Sequence, residues 1–406
     1  MAKSMTNGKP LKLILQFALP LLAGNIFQQT YNMADAAIVG NYLGTKALAS
    51  VGASASVQFL VMGFCIGICC GFGIPVAQRF GAKDYNAMHS CIFHAGFLTI
   101  IVSAILTITC ALLFPAILQI LSTPDDIYQD SYIYLLILFL GIPFTMLYNL
   151  LSGILRSVGD SNTPFMFLVF STILNILLDL LCIIVLKWGC AGAAIATITA
   201  QACSSILCFI YMWKKFPILK LSKNDCKLKG NVTANMLMMG VPMGLQYSVT
   251  AIGSMVMQSA NNGLGSVYVS GFTAGMRIKQ FAMCPFDAIS TAGSTFCSQT
   301  LGAGKPERIK KGLCDGVITG VLYGIFAGTI LILFGGMLSR MFISADETKV
   351  LDASAKYLSC LGFFYWTLGI LNVCRMTIQG IGYPGRAILS GVVEMAARIV
   401  TSKIFV

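Results

Sequence analysis

The sequence predicts an all-α integral membrane protein with two pseudo-symmetric six-helix lobes around a central cavity, of which only eleven helices are evident. Composition excludes a soluble protein, because 57% of the 406 residues are hydrophobic and only 10% are charged, whereas soluble chains are about 25% charged. The apolar residues also form long runs, and a helix needs about 20 of them to cross a bilayer. Finally, short motifs recur after 221 to 223 residues, which indicates an internal repeat.

Eleven apolar runs are long enough to be membrane-spanning helices. They cover residues 13–43, 48–77, 91–121, 131–155, 164–186, 190–213, 235–262, 266–300, 312–342, 353–380 and 386–406. The N-terminus, Met1 to Lys12, is basic and leads directly into the first long run. We therefore expect the first helix to be retained, not cleaved as a signal peptide.

The loops on one side of the predicted membrane are much more basic than those on the other. Seventeen Lys and Arg residues lie in the loops of one side and six in those of the other. Because short cytoplasmic loops retain Lys and Arg, we predict a plasma (inner) membrane protein whose N-terminus and 214–229 loop are cytoplasmic. This topology accounts for most of the net charge of +12. A basic soluble protein would suggest nucleic acid, but no polar basic segment carries aromatic residues, so no nucleic-acid partner is expected.

The repeat divides the chain at its one long polar stretch. The recurring motifs, first copy against second, are Leu19-Pro20 and Val241-Pro242, Leu43-Gly44 and Leu264-Gly265, and Gly81-Ala82 and Gly302-Ala303. Six spans separate the two members of each pair, so both lie on the same side and the repeats are parallel. We predict an N-lobe over 1–213, a cytoplasmic loop over 214–231 and a C-lobe over 232–406. The C-lobe holds five runs where the repeat requires six, so we expect the final helix to be missing.

Several motifs follow one another in a specific order along the whole chain. They are Leu19-Pro20, Asp35-Ala36-Ala37-Ile38-Val39-Gly40, Leu155-Arg156-Ser157-Val158-Gly159-Asp160, Asn175-x-x-x-Asp179, Ala194-Ile195-Ala196-Thr197 and Gly302-Ala303-Gly304-Lys305-Pro306-Glu307-Arg308. In this order they resemble the multidrug and toxic compound extrusion (MATE) transporters. The resemblance implies a twelve-helix, two-lobe fold that exports small organic, mostly cationic compounds in exchange for protons or sodium. It implies no cofactor besides that coupling ion.

Two carboxylates lie inside predicted helices of the N-lobe. Asp35 has apolar neighbours late in helix 1, while Asn175 and Asp179, four residues apart, share one face of helix 5. A carboxylate at membrane depth is costly and is therefore a functional candidate. Carboxylate and amide oxygens suit a hard cation such as sodium or a proton, and Thr197 would add a hydroxyl. The resemblance implies that Asp35, Asn175, Asp179 and Thr197 form the cation-coupling site. The alternative is that they bond only to neighbouring backbone.

The second half lacks this arrangement. Apolar residues replace the equivalent of Asp35, and Glu394 and Arg398, again four apart, replace Asn175 and Asp179. Glutamate four residues before arginine favours an intrahelical ion pair, so the coupling ion is expected to bind in the N-lobe only.

Pro20 removes one hydrogen bond from helix 1 and is the predicted hinge of this helix. Ion binding would bend helix 1 at Pro20 and release the cargo, while the lobes rock. The alternative is a static kink.

Polar residues in the C-lobe are candidates for a substrate cavity. Gln246, Gln258 and Asn261 lie on helix 7, and the cations Arg277, Lys279 and Arg375 lie inside apolar runs. A cationic cavity would suit anionic or lipid-diphosphate cargo, so a lipid-linked oligosaccharide flippase is the alternative function. A structural alternative pairs these cations with Asp287 or with carbonyls near Pro285.

Other repeated residues are predicted to be structural. Glycines recur every four residues from Gly63 to Gly71 in helix 2 and from Gly312 to Gly328 in helix 9, which predicts close helix packing. The 15 cysteines lie mostly in apolar runs, where they act as small hydrophobes, and no Cys/His cluster has zinc spacing.

No Ser/His, Cys/His or HExxH constellation indicates an enzyme. The expected partners are small organic substrates and membrane lipid, and the chain is expected to be a monomer.

Overall fold

The computed structural model describes residues 3–120, 125–222, 225–344 and 346–405, and all regular structure in them is helical. The predicted all-α fold is therefore confirmed. The long helices are α1 (Pro10–Gly81), α2 (Tyr85–Ile120), α3 (Asp125–Leu140), α4 (Ile142–Ser157), α5 (Asn162–Leu180), α6 (Gly189–Lys215), α7 (Gly230–Asn262), α8 (Ser266–Gly302), α9 (Pro306–Ser339), α10 (Thr348–Gly380) and α11 (Pro384–Phe405). Residues 1, 2, 121–124, 223, 224, 345 and 406, which the predicted lobes and loop include, lie outside the described residues.

Two helix boundaries differ from the prediction. Runs 13–43 and 48–77 belong to the single helix α1, which is broken only at Gly44 with φ 84° and ψ −177°. Glycine reaches this conformation without a Cβ clash. We call Pro10–Gly44 α1a and the part that follows α1b. Conversely, run 131–155 is not one helix but two, because α3 and α4 meet at a 45° bend, where Pro143 at the start of α4 offers no N–H to continue α3.

The helices are long and apolar enough for a multi-pass membrane protein. Among the described residues, seven helical segments could cross a membrane by length and apolarity, or eight if α3 and α4 count as one broken span. The prediction of eleven spans also included α7, α8 and α11. These three helices are 33, 37 and 22 residues long. They are less apolar than the seven segments because they carry more polar and charged side chains.

Both glycine series pack against other helices, as predicted, but with different kinds of partner. In the second half, a Cβ on Gly324 or Gly328 would lie 2.5 Å from Trp366 Cα or 2.4 Å from the Gly362 carbonyl oxygen, so α9 and α10 are in backbone contact. In α1b, by contrast, a Cβ on Gly71 would lie 2.6 Å from Gly240 Cα of α7. The first series therefore joins the two halves of the chain.

The two halves also meet at the end of the bundle that carries the loops after α1b and α8, which we call the basic end. Gln78 Nε2 donates to the Gly380 carbonyl at 3.2 Å, and Gln299 Nε2 donates to the Ser157 carbonyl at 2.8 Å. The two glutamines are 221 residues apart and their two acceptors 223 apart. The repeat thus relates these reciprocal contacts, which close the basic end.

The N-terminal segment crosses the same closed end. Lys3 N–H donates to the Val158 carbonyl at 2.9 Å in the first half. Met5 is 2% exposed and donates its N–H to Gln299 Oε1 at 2.8 Å in the second half. Lys305 Nζ donates to Asn7 Oδ1 at 2.9 Å. The segment before α1 therefore contributes hydrogen bonds to both halves.

The polar stretch between the halves is attached to α2 by two histidines. His94 Nε2 accepts the Lys229 N–H at 2.9 Å. His89 contacts the Ile218 carbonyl at 2.8 Å and lies 3.4 Å from Asp225. Hydrogen bonds from Ser222 and the nearby His89 hold the pKa of the Asp225 carboxyl below its usual value. The loop is therefore folded back on the first half.

Candidate cation site and central cavity

The two intramembrane carboxylates of the first half lie together. Asp35 of α1a and Asp179 of α5 are within hydrogen-bond reach of each other, and Asp179 is fully buried. One oxygen of each, Oδ1, is buried and has no hydrogen-bond partner among the described residues. Two carboxylates in contact repel each other unless a proton or a cation is shared between them. The pair can therefore take up one positive charge.

Asn175 and Thr197 complete the group that the sequence predicted. The Asn175 amide is 2% exposed. With its nitrogen 2.9 Å from Asp179 Oδ2, it donates to that carboxylate while its oxygen accepts from Thr197 Oγ1 at 3.2 Å. This orientation follows from the hydrogen-bond partners on both sides. All four predicted residues thus come together from α1a, α5 and α6.

Two tyrosines at the site were not predicted. Tyr31 OH lies 3.4 Å from Thr197 Oγ1, and the buried Tyr134 of α3 lies within electrostatic range of both aspartates. Tyr31 is one helical turn before Asp35, so the spacing of four residues was available as a signal. Tyr134 comes from a distant helix, and nothing local in the sequence connects it to the site.

The backbone changes its helical form next to Asp179. Leu181–Val185, directly after α5, is a π-helix. Such turns are rare and often occur at functional sites. Here the wider turn follows the residue that carries the buried carboxylate, which links the local backbone form to the candidate site.

The second half contains a charge cluster in place of a free carboxylate pair. Glu394 accepts from Arg375 Nη2 at 3.0 Å, and its other oxygen accepts from Arg398. Ser390 accepts from Arg375 Nε at 2.9 Å and Ser254 from Arg398 Nη1 at 3.1 Å. The predicted Glu394–Arg398 ion pair is confirmed. The alternative partner Asp287 was wrong for Arg375, which instead pairs with Glu394.

The Glu394→Gln variant should be less stable than the wild type. It leaves Arg375 and Arg398, whose side chains are 10% and 23% exposed, without a neutralising charge. Breaking a partly buried pair in this way is expected to cost about 2 kcal/mol. Thermal unfolding in detergent tests this against Glu307→Gln, whose exposed pair with Lys310 contributes less than about 1 kcal/mol. Equal unfolding midpoints for the two variants would contradict the structural role of Glu394.

The remaining candidate cavity residues have different surroundings. Gln246 is buried and accepts a hydrogen bond from Gln379 of α10. Gln258 is half-buried, and Asn261 has a buried Nδ2 without a partner in the described part of the chain. Arg277 is exposed, and Lys279 is half-buried. Neither of these two cations forms an ion pair with another described residue.

Two cavities share one lining residue, Arg156 of α4. The central cavity lies between the halves and is lined by Arg156, Met243, Thr291, Ser294 and Met376, among others. The other cavity lies within the first half, and its lining includes Pro20, Asn25, Gln28 and Asn149. The hinge residue predicted from the sequence therefore borders a cavity. Arg156, which the sequence presents only as part of a motif, lines the cavity between the halves.

Comparison with known proteins agrees with this architecture. The MatE family model matches residues 20–181 and again residues 242–403. The probable multidrug resistance protein YpnP of Bacillus subtilis is 31% identical over 94% of this chain and 85% of its own length. The FAD transporter of Shewanella oneidensis is 23% identical over 92% of this chain and 83% of its own. A solved MATE family transporter in an outward-facing conformation is 22% identical and superposes with a TM-score of 0.93 over 99% of this chain and 90% of its own.

The two repeated halves with a cavity between them, together with this family match and these relatives, define a transporter of small compounds and not an enzyme. The two matched segments start 222 residues apart, which is the offset of the repeat in the sequence. The chain belongs to the MatE family of multidrug and toxic compound extrusion transporters. It is thus a multi-pass multidrug efflux transporter of that family.

Proposed function

We propose that the protein is a secondary active antiporter that exports small organic, mostly cationic compounds in exchange for protons or sodium. The single observation that carries this proposal is the contact between Asp35 and Asp179, two carboxylates that need one shared positive charge. Asn175, Thr197 and Tyr31 supply further oxygen atoms around them. We place the coupling ion at this site and at no site in the second half, because Glu394 is already neutralised by two arginines.

We further propose that the protein lies in the plasma (inner) membrane with its basic end in the cytoplasm. The excess of Lys and Arg in the loops of that end supports this orientation. The reciprocal contacts of Gln78 and Gln299 close this end, so the state described here would be open to the outside. Export then requires these contacts to break as the lobes rock, in the manner of transporters built from parallel repeats.

Helix bending at Pro20 is the proposed link between ion binding and cargo release. Pro20 lacks an N–H, so the Gln16 carbonyl receives no helical bond from it. In this state the backbone of α1a keeps helical dihedral angles through Pro20. Asp35 lies fifteen residues further along the same helix, about 22 Å at 1.5 Å per residue. A change in charge at Asp35 therefore acts on a helix that also borders the cavity at Pro20.

The experiment is efflux of a fluorescent organic cation, ethidium, from vesicles that contain the purified protein. An imposed pH gradient and an imposed sodium gradient are applied separately. Efflux driven by one of them supports antiport and identifies the coupling ion. Efflux under neither gradient contradicts the proposal and favours the lipid-linked oligosaccharide flippase as the alternative.

A further inference from the structure

A carboxylate that the coupling site does not use lies on α8, on the helix face whose next residues line the central cavity. Asp287 lies on α8 one turn before Thr291, and seven and eleven residues before Ser294 and Ser298, which line the central cavity. Residues at these spacings share one helix face. The Asp287 side chain is exposed, yet protein atoms surround it on most sides. This combination, with the shared helix face, indicates a residue that faces the space between the lobes and not lipid.

The Asp287 carboxylate has no hydrogen bond or ion pair with any other residue that the structure describes. Of the cations that the sequence offered as partners, Arg375 pairs with Glu394, and Arg277 and Lys279 form no ion pair with Asp287 or with any other described residue. An unpaired charge inside a membrane protein is costly and is retained where it serves a function. Among the described residues, Asp287 is therefore a carboxylate left free to bind a positive group from outside the protein.

The neighbours of Asp287 suit an organic cation better than a bare ion. The carboxylate lies within electrostatic range of the Tyr247 phenol, whose aromatic face can attract a cation. Met243 and Met376 line the adjoining cavity, and flexible methionines adapt to varied apolar shapes. A small hard cation prefers several oxygen ligands at once, as at Asp35 and Asp179. Asp287 offers one carboxylate beside aromatic and apolar surface.

Arg156 restricts where a positive group can lie in this cavity. Its guanidinium comes from the opposite lobe, and within the described part of the chain it donates one hydrogen bond, to Cys70 Sγ at 4.0 Å. An unneutralised guanidinium repels a cationic group. The charged end of an organic cation is therefore expected at the level of Asp287, one turn beyond the hydroxyl residue Thr291.

We propose that Asp287 is the residue that binds the positively charged group of the exported compound, with Tyr247, Met243 and Met376 receiving its apolar part. The inference rests on the proposed function and adds a cargo site in the second half, separate from the coupling-ion site in the first. Cargo and coupling ion then bind different carboxylates, and they influence each other through movement of the lobes.

The test is equilibrium binding of ethidium to the purified protein in detergent without any ion gradient. The variants are Asp287→Asn, Asp287→Glu and the matched control Asp352→Asn, which removes an exposed carboxylate from the end of α10. We expect Asp287→Asn to weaken ethidium binding at least about tenfold, the loss typical of a charged contact. Asp287→Glu should remain within about threefold of the wild type, and Asp352→Asn should equal it.

The results separate this inference from the proposed function. Wild-type affinity in a folded Asp287→Asn protein, judged by an unchanged unfolding midpoint, overturns the cargo site and leaves the antiport proposal standing. If Asp287→Asn does not fold, loss of binding in the folded Asp287→Glu protein also overturns the inference, because the charge is retained. A wild-type protein that binds no ethidium and exports none contradicts the proposed function itself.

Discussion

Replacing Asp35 or Asp179 by asparagine is expected to reduce gradient-driven ethidium efflux at least about tenfold, equivalent to 1.4 kcal/mol or more. The amide has nearly the same shape as the carboxyl group, but it carries no charge and cannot hold a transferable proton. The two carboxylates lie within hydrogen-bond reach, so removing either one removes the shared positive charge. Initial efflux rates from vesicles under the gradient that drives the wild type measure the effect.

Two controls distinguish lost coupling from lost folding. Asp130→Asn removes an exposed carboxylate of the same lobe and should export ethidium at the wild-type rate. Asp35→Asn should still bind ethidium without a gradient, because the proposed cargo carboxylate, Asp287, belongs to the other lobe. Wild-type efflux by both Asp35→Asn and Asp179→Asn would exclude this site as the coupling site.

Adding a single methyl group at Gly302 is expected to prevent closure of the basic end. A Cβ at this position would lie 1.8 Å from the Gln78 carbonyl oxygen, and the repeat-related Gly81 has the Gln299 carbonyl oxygen at 1.9 Å. Both obstacles are backbone atoms, so no side chain can rotate away. Gly302→Ala should therefore lose the state described here and reduce ethidium efflux at least about tenfold, or 1.4 kcal/mol.

The separation of the lobes can be measured directly in this variant. Spin labels at Lys83 and Lys311, which are exposed on the two halves, report the width of the basic end by electron resonance distance measurements. Non-canonical amino acids carry the labels, because the chain has 15 cysteines. Gly302→Ala should lengthen the distance. The control Gly96→Ala, with no atom within 4 Å of the added Cβ, should not change it. An unchanged distance in Gly302→Ala would show that the end closes by another contact.

Local sequence patterns predicted the features that depend on neighbours within one or two helical turns. The apolar runs located the long helices, and the spacing of Asn175 and Asp179 placed both on one face of α5. The spacing of Glu394 and Arg398 predicted their ion pair, which the structure contains. Each of these follows from the 3.6-residue period of the helix. Both residues of such a contact lie close together in the sequence, so the sequence alone is enough to predict it.

Features that join distant helices could not be derived in the same way. Arg375 pairs with Glu394 across two helices, although Asp287 was an equally plausible partner by charge. Tyr134 reaches the coupling site from α3, and Asp287 acquires its role from the cavity face of α8. Charge and hydrogen-bonding capacity are visible in a sequence, but the choice among several partners depends on which helix faces meet.

The sequence by itself determined a helical membrane protein with a parallel repeat, a basic end and two carboxylates at membrane depth. These follow from hydropathy, charge and the recurrence of short motifs, whereas the family resemblance alone implied that the two carboxylates form one site. Only the tertiary structure decided that one glycine series joins the halves through α1b and α7 while the other joins α9 and α10. It alone also showed that Gln78 and Gln299 close the basic end. The reason is physical: equal glycine spacings clear equal grooves, and long-range packing selects the helix that enters each groove.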